Sequence, residues 1–532
     1  MSQEQKTVKK ASFKSEIASW NGWAHYLTWL YIMLYVLIFP IILDQSKYLK
    51  LTGGKFNFFF YSTVIYLVLM GFRRLTALIT GEQGLVSPKY IWQNSSLTQK
   101  AMVAYIFIAI ISAILSEYSN FVWMGASRFD GLLTLILYFF VFMCISMFGR
   151  IDRWHVLGMG LSMLIFSVIG LLQCWNIDIM NLYPSGKNFY NSNFVAMAGN
   201  IDMASGILCI CISLMSAAFV VIKDKWRWLL LPSVVASVML ISLINVDSGI
   251  VGLAISMIIM MPLLFRSRER ILNGLILLIT ICITLAVAKS IVFSQTTDTL
   301  GKLVVNSSFA LSGLAKMLIC GAVTLILIWL TLFLFKEKFR PNPKFMTIGL
   351  ATVLFVAVAV GGICVYHFAD DPSKGFIYEV GQIMHGNFND EFGSGRIMVW
   401  KRALLMATQH PIIGTGPGSF YAAFTLQFQD EIEALGANVT FDFAHNDYIQ
   451  ILCNMGILGL LAYVTGLIGQ GVAFFKNVFR DEWVAILGAP VLCYCVHIFF
   501  SFSIVIVAPL FFVLFGLLDK RNGDLRKCIG KK

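Results

Sequence analysis

Apolar runs of roughly 20 residues recur along almost the whole chain, and short polar, mostly basic segments separate them. At a rise of about 1.5 Å per residue, such a run crosses the roughly 30 Å of a bilayer's hydrocarbon. The pattern predicts helices at 23–43, 57–72, 101–117, 131–148, 155–172, 203–222, 228–246, 249–265, 271–291, 311–335, 345–366, 447–469, 484–500 and 503–518. The last two divide one apolar run at Ser501-Phe502-Ser503, so the pattern supports 12 to 14 spans. One polar stretch, 367–446, is too long for a plain connection. Its middle, "RIMVWKRALLMATQHPIIG", repeats apolar residues at helical spacing with Lys401 and Arg402 on the other side. This predicts an amphipathic helix lying on the outer leaflet, ended at His410-Pro411 and followed by the glycine turn "GTGPGSF".

The expected fold is therefore an all-α polytopic membrane protein of about 14 transmembrane helices. It divides into a cytoplasmic tail (1–22), a transmembrane bundle of about eleven spans (23–366), a large extracytoplasmic loop (367–446), C-terminal transmembrane helices (447–518) and a basic cytoplasmic tail (519–532).

Composition supports this reading. Hydrophobic residues make up 58% of the 532 and charged residues 13%, against about 25% charged in soluble domains. No small-residue cleavage site follows the polar N-terminus, which reads as a retained tail. The formal charge of +12 could indicate nucleic acid, but most of the 40 Lys and Arg fall on alternate connections. That is the positive-inside pattern, with both termini cytoplasmic, and it accounts for the charge without nucleic acid. The 11 Cys lie mostly in apolar segments without zinc spacing. His367, His385, His410 and His445 share the outer region with no metal-ligand spacing, so no metal or other cofactor is expected. Lys316, near a helix end, reads as a snorkelling lysine.

Four outward polar sites could carry chemistry. In "AHNDYIQILCN", Asn446, Gln450 and Asn454 form a helical stripe with His445 at its end; this is either a sealed helix contact or a site mouth. In "FGSGRIMVW", Arg396 either anchors the amphipathic helix to lipid phosphate or grips a pyrophosphate with its guanidinium fork. In "GASRFDGLL", Arg128 with Asp130 forms either a capping pair or an outward cation. In "AGNIDMASGIL", Asn200 and Asp202 either cap a helix or line the site.

Together these segments resemble the O-antigen ligase and polymerase superfamily. The resemblance rests on Arg396, Trp400, His410-Pro411-Ile412-Ile413-Gly414-Thr415-Gly416, His445-Asn446 and Gly456-Ile457-Leu458-Gly459, and covers roughly 115–470. It implies a metal-independent glycosyltransferase of the bacterial cytoplasmic membrane, active on the outer face. Such an enzyme moves glycan from a polyprenyl-diphosphate carrier to a glycan, lipid or protein acceptor. Arg396 would bind the diphosphate and His445 would activate the acceptor hydroxyl, with Arg128, Asn446, Asp202, Asn200, Lys401, Arg402 and Asn454 around the substrates. Two departures stand out. Relatives often carry a Glu where this chain has Asn454. They also often carry Ser-Arg-Gly where this chain has Asp247-Ser248-Gly249, and Arg128 is the candidate to supply the missing charge. Polymerase, lipid-A-core ligase and protein O-oligosaccharyltransferase remain open, with the number of spans inclining towards a polymerase. A lipid-linked glycan flippase or exporter is the alternative of another class.

Overall fold

The computed structural model describes residues 19–43, 50–82, 87–126, 128–182, 196–297, 303–335, 342–435 and 440–529. Most of the two expected tails' outer residues, 1–18 and 530–532, and the middle of the 173–202 connection, 183–195, lie outside them.

In chain order the helices are α1 (Trp20–Met33, continued by a π-helical turn to Ile38), α2 (Leu51–Ile79), α3 (Pro88–Asn94), α4 (Leu97–Ile114), α5 (Ser119–Val122), α6 (Leu132–Phe148), α7 (Arg153–Cys174) and α8 (Ile201–Val221). They continue with α9 (Leu231–Ile244), α10 (Asp247–Leu264), α11 (Arg268–Ala288), α12 (Gly313–Leu334), α13 (Pro343–Phe368), α14 (Phe376–Met384), α15 (Arg396–Ala407), α16 (Phe420–Gln427), α17 (Gln429–Leu435), α18 (Asp447–Asn477), α19 (Glu482–His497) and α20 (Ala508–Ile529). Among the described residues, ten helical segments are long and apolar enough to cross a membrane: α2, α4, α7, α8, 225–244, α10 to α13, and α18. The chain is a multi-pass membrane protein. α6 and α19 are shorter apolar helices.

The expectation of an all-α chain needs one correction. Between α11 and α12 stands an antiparallel hairpin, β1 (Ile291–Thr297) and β2 (Leu303–Phe309), paired from Ile291↔Phe309 to Thr297↔Leu303. Its Val, Ile, Phe and Thr content suits a strand, and Trp175 Nε1 donates to Ser307 Oγ at 3.0 Å to hold it against the end of α7.

α8 is the central helix, buried along its full apolar length. Its small residues Ala204, Ser205, Gly206, Cys209 and Ser213 let α10 and α19 approach closely. A methyl group on Gly249 of α10 would stand 1.9 Å from Ser205 Oγ. α12 and α13 lie at the periphery and leave nearly all their apolar surface to lipid. Caps visible in the sequence start several helices: Ser96 with Gln99 on α4, Asp152 on α7 and Asp481 on α19.

α18 is two helices in line, because Gly456 has φ +63° and ψ −169°. Such a break leaves backbone groups unpaired where water is scarce. The 410–416 turn satisfies them. Ile457 N donates to Pro411 O (2.8 Å), Thr415 N to Cys453 O (2.9 Å) and Gly416 N to Asn454 O (2.8 Å). The contact is backbone on backbone, since a Cβ at Gly414 would lie 2.3 Å from the Asn454 carbonyl carbon.

The amphipathic helix is present as α15, but not as a helix floating on the leaflet. Val399, Ala403, Met406 and Ala407 are buried against Cys453 of α18 and Phe420 and Phe424 of α16. The apolar stripe finds protein, which fixes α15 over the mouth of the bundle where α8, α10 and α18 begin.

Candidate functional site

Arg396 is placed by backbone geometry. Gly393, Ser394 and Gly395 all have positive φ (63°, 58° and 82°), a run that glycine adopts readily and that turns the chain sharply into α15. Arg396 is the first residue after it. Its Nη1 donates to Gly393 O at 2.8 Å, and its Nη2 lies 3.8 Å from Asp202 Oδ1 on the first turn of α8. Its Nε is buried without a partner.

His445 stands just before α18 with φ +51°, a left-handed conformation that costs a side-chain-bearing residue of order 1 kcal/mol or more. Bonds on both sides impose it. Trp400 Nε1 donates to Ala444 O at 2.9 Å, and Ala444 N donates to Gln450 Oε1 at 2.9 Å. On the other side, Asn446 caps α18, accepting from Tyr448 N and Ile449 N at 3.0 and 3.1 Å, while Asp447 N donates to Ile498 O. The imidazole meets Phe502 edge-on (centroids 5.0 Å, 88°), and Phe502 stacks on Phe443. Its Nδ1 is buried and unpartnered. Burial, then the Arg396 cation, push the imidazole down to about 4, against the opposing pull of Asp442. At neutral pH the ring is neutral and can accept a proton.

Arg128 Nε donates to Asp442 Oδ2 at 3.3 Å. It therefore joins the site through Asp442, the carboxylate whose charge acts on His445. Asp130 is pushed up to about 6 by burial first, with Asp442 adding to the effect and Arg128 opposing it. Asn200 caps α8, accepting from Asp202 N at 2.8 Å and Met203 N at 3.3 Å.

Other expected residues are occupied elsewhere. Lys401 reaches Asp390 at 2.6 Å, and Arg402 reaches Asp390 at 2.7 Å and Glu431 at 2.8 Å. This network ties α15 to its neighbouring loop and to α17. Asn454 sits at the α18 break, where its carbonyl accepts from Ser112 Oγ at 2.9 Å and its buried side-chain oxygen has no partner. The expected stripe is real as burial, since Asn446, Gln450 and Asn454 are all buried, but its members serve a cap, a loop anchor and a helix joint respectively.

The sequence reading passed over Asp442, three residues before His445, and the anchoring bond of Trp400. Both depend on how a loop folds back on itself, which periodicity does not register. It also passed over His497 at the end of α19, which is buried behind the site.

Residues 232–464 match the family model described as O-antigen ligase. The matched segment runs from α9 into α18 and contains Ser248, Arg396, Trp400 and His445. Asp202 and His497 fall outside it. No curated protein matches the chain.

Proposed function

We propose, for a chain whose residues 232–464 match the O-antigen ligase family model, that it transfers glycan from a polyprenyl-diphosphate donor to an acceptor hydroxyl at the mouth of the bundle, on the outer face of a bacterial cytoplasmic membrane. The observation that carries this is the pairing of Arg396 with His445: one half-buried cation and one half-buried neutral base, close enough for the first to lower the basicity of the second, each with a buried, unpartnered ring or guanidinium nitrogen.

In the reaction, the acceptor oxygen bonds to the anomeric carbon as the bond from that carbon to the diphosphate oxygen breaks. The acceptor proton passes to His445, and polyprenyl diphosphate leaves with the electron pair. Negative charge grows on the leaving group, and Arg396 meets it with fixed donors in a site poor in water, where such stabilisation is large. The incoming diphosphate also offsets the Arg396 cation, which raises the basicity of His445 when the donor is in place. A single displacement inverts the anomeric configuration.

The test uses purified protein in proteoliposomes with a lipid-linked oligosaccharide and an acceptor, with and without chelator. The expected products are free polyprenyl diphosphate and a longer or transferred glycan in both conditions. Movement of the intact lipid-linked donor across the vesicle membrane with no new glycosidic bond would overturn the reading and point to a flippase. Dependence on added metal would overturn its metal-independent part.

A further inference from the structure

The turn that carries Arg396 is not held in place by its own sequence. The N-cap of α15 is Gly395, which has no side chain to accept from the first helical turn, and that turn holds no acidic residue. Its first residue is Arg396 itself, a cation at the positive end of the helix dipole, where a cation is disfavoured. The three residues before it, Gly393, Ser394 and Gly395, all have left-handed backbone. Ser394 among them carries a side chain that opposes this conformation. Local preference therefore works against the observed position of Arg396, and the restraint must come from another element.

Two sets of bonds meet at Gly393. Its N–H donates to Glu379 Oε2 of α14 at 2.9 Å, a hydrogen bond of the stronger, charge-assisted class. Its carbonyl accepts from Arg396 N at 3.3 Å and from Arg396 Nη1 at 2.8 Å. Glu379 thus fixes the residue whose carbonyl fixes the guanidinium. On the far side, Asp202 attracts Nη2 from 3.8 Å. The fork is set between one carboxylate that acts on it directly and one that acts through the backbone.

Glu379 is itself held. Beside it, Tyr378 meets the buried Phe392 edge-on (centroids 6.1 Å, 83°). Gly381 packs so closely on the end of α13 that a Cβ there would stand 2.7 Å from Ala369 Cβ. His385 Nε2 donates to Tyr366 O at 2.7 Å. α14 is thereby fastened to the end of a membrane-spanning helix, and Glu379 reaches the turn from a fixed base. The other acidic residues of the segment serve differently. Asp390 is taken by Lys401 and Arg402, and Glu391 contributes its backbone carbonyl, which accepts from Gly395 N at 3.0 Å. Among the described residues, no other side-chain carboxylate bonds the backbone of 393–395.

We propose that Glu379 is a positioning residue for Arg396: its carboxylate holds the Gly393 N–H, and through Gly393 it sets the orientation of the guanidinium fork. This rests on the transfer reading above and adds to it a residue that touches neither donor nor acceptor. A glutamate that merely stabilised the loop would act on folding alone. One that positions Arg396 acts on turnover, and only while an arginine is there to be positioned.

The experiment is a double-mutant cycle on the full-length protein in proteoliposomes, read as kcat/KM for transfer from a lipid-linked donor, with hydrogen exchange of the 388–398 amides measured on the same variants. Glu379→Met keeps the length of the side chain and loses the acceptor, and Glu379→Gln keeps an acceptor oxygen. In the Arg396 background Glu379→Met is expected to lower kcat/KM about tenfold or more and to speed exchange at 388–398. Glu379→Gln recovers most of both losses, because its amide oxygen accepts from Gly393 N. In the Arg396→Lys background, where there is no fork to align, Glu379→Met is expected to cost less than about twofold. If Glu379→Met does not accumulate in membranes, Glu379→Ala replaces it with the same expectations. Equal losses in the two backgrounds, or unchanged exchange in the variant without the acceptor, would overturn the positioning role and leave the transfer reading standing. Absence of transfer by the wild-type protein would overturn the transfer reading and this role with it.

Discussion

Arg396 Nη2 lies 3.8 Å from Asp202 Oδ1, close enough for attraction and too far for a hydrogen bond. The carboxylate steadies the guanidinium without occupying its donors. The cation is thereby held at the bundle mouth with part of its hydrogen-bonding capacity still open, which suits a residue waiting for an anion.

Arg396→Lys tests whether charge alone is enough. Lysine keeps the positive charge but loses Nε–H and the planar fork. Two charge-assisted hydrogen bonds at about 1.5–3 kcal/mol each correspond to a fall in transfer rate of about 100-fold or more. Asp202→Asn, which removes only a distant attraction, is expected to stay within about tenfold of wild type. Initial rates with lipid-linked donor measure both, and a fully active Arg396→Lys enzyme would show that the fork is not used.

The pH profile tests His445. The neutral ring is the working form, and burial with the Arg396 cation holds its pKa at about 4 in the free enzyme. Activity limited by this group is therefore fully present at pH 7, persists to about pH 5, and is lost as pH falls through about 4. The expected acid limb of kcat/KM lies well below the usual imidazole range near 6.5. Asp442→Asn removes the charge that favours protonation, so it moves that limb lower still. His445→Gln is expected to lose about 10²- to 10⁴-fold in rate, the usual span for a general base. An acid limb at 6.5 would mean that the ring is not buried beside the cation during turnover.

Much of this arrangement could be read from the sequence because it follows from local rules. The apolar runs predicted a helix at each of the ten places where, among the described residues, a segment long and apolar enough to cross a membrane stands, since burial in lipid demands satisfied backbone hydrogen bonds. The Gly-Ser-Gly before Arg396 and the Asn446 cap before α18 are local signals as well. What the sequence did not convey depends on distant segments meeting. Lys401 and Arg402 looked available until Asp390 and Glu431 folded onto them, and Arg128 looked like a spare cation until Asp442 reached it. α15 carried the periodicity of a lipid-surface helix, but the same stripe fits α16 and α18. Asn454 belonged to a polar stripe by spacing, yet the break at Gly456, a tertiary device, gave it a role at the helix joint.

That joint can be tested directly. In Gly456→Ala the new Cβ would meet the Ile412 carbonyl carbon at 2.2 Å in a backbone conformation at φ +63°, so both clash and strain oppose it. The expected loss is about 3 kcal/mol or more, seen as a markedly lower unfolding temperature in detergent or failure to accumulate in membranes. Gly471→Ala, later in α18 with nothing within 4 Å of its Cβ position, is expected to unfold at or slightly above the wild-type temperature, because alanine is the better helix former. Equal behaviour of the two variants would show that the 410–416 turn does not lock the break.

Trp400→Phe separates positioning from binding. The indole Nε1–H holds Ala444 O at 2.9 Å, one residue before the left-handed His445, and the ring also meets Phe499 edge-on. Phenylalanine keeps most of the ring contact and deletes the hydrogen bond, worth about 0.5–1.5 kcal/mol. With that restraint gone, the backbone around His445 can relax from its strained conformation, and the imidazole leaves the orientation set against Phe502. The expected result is a fall in kcat of about tenfold with donor KM unchanged, because the phosphate-binding side contains no atom of Trp400. A residue that merely filled space would lower stability without this division between kcat and KM. A Trp400→Phe enzyme that unfolds at a lower temperature but turns over at the wild-type rate would assign the indole to packing alone.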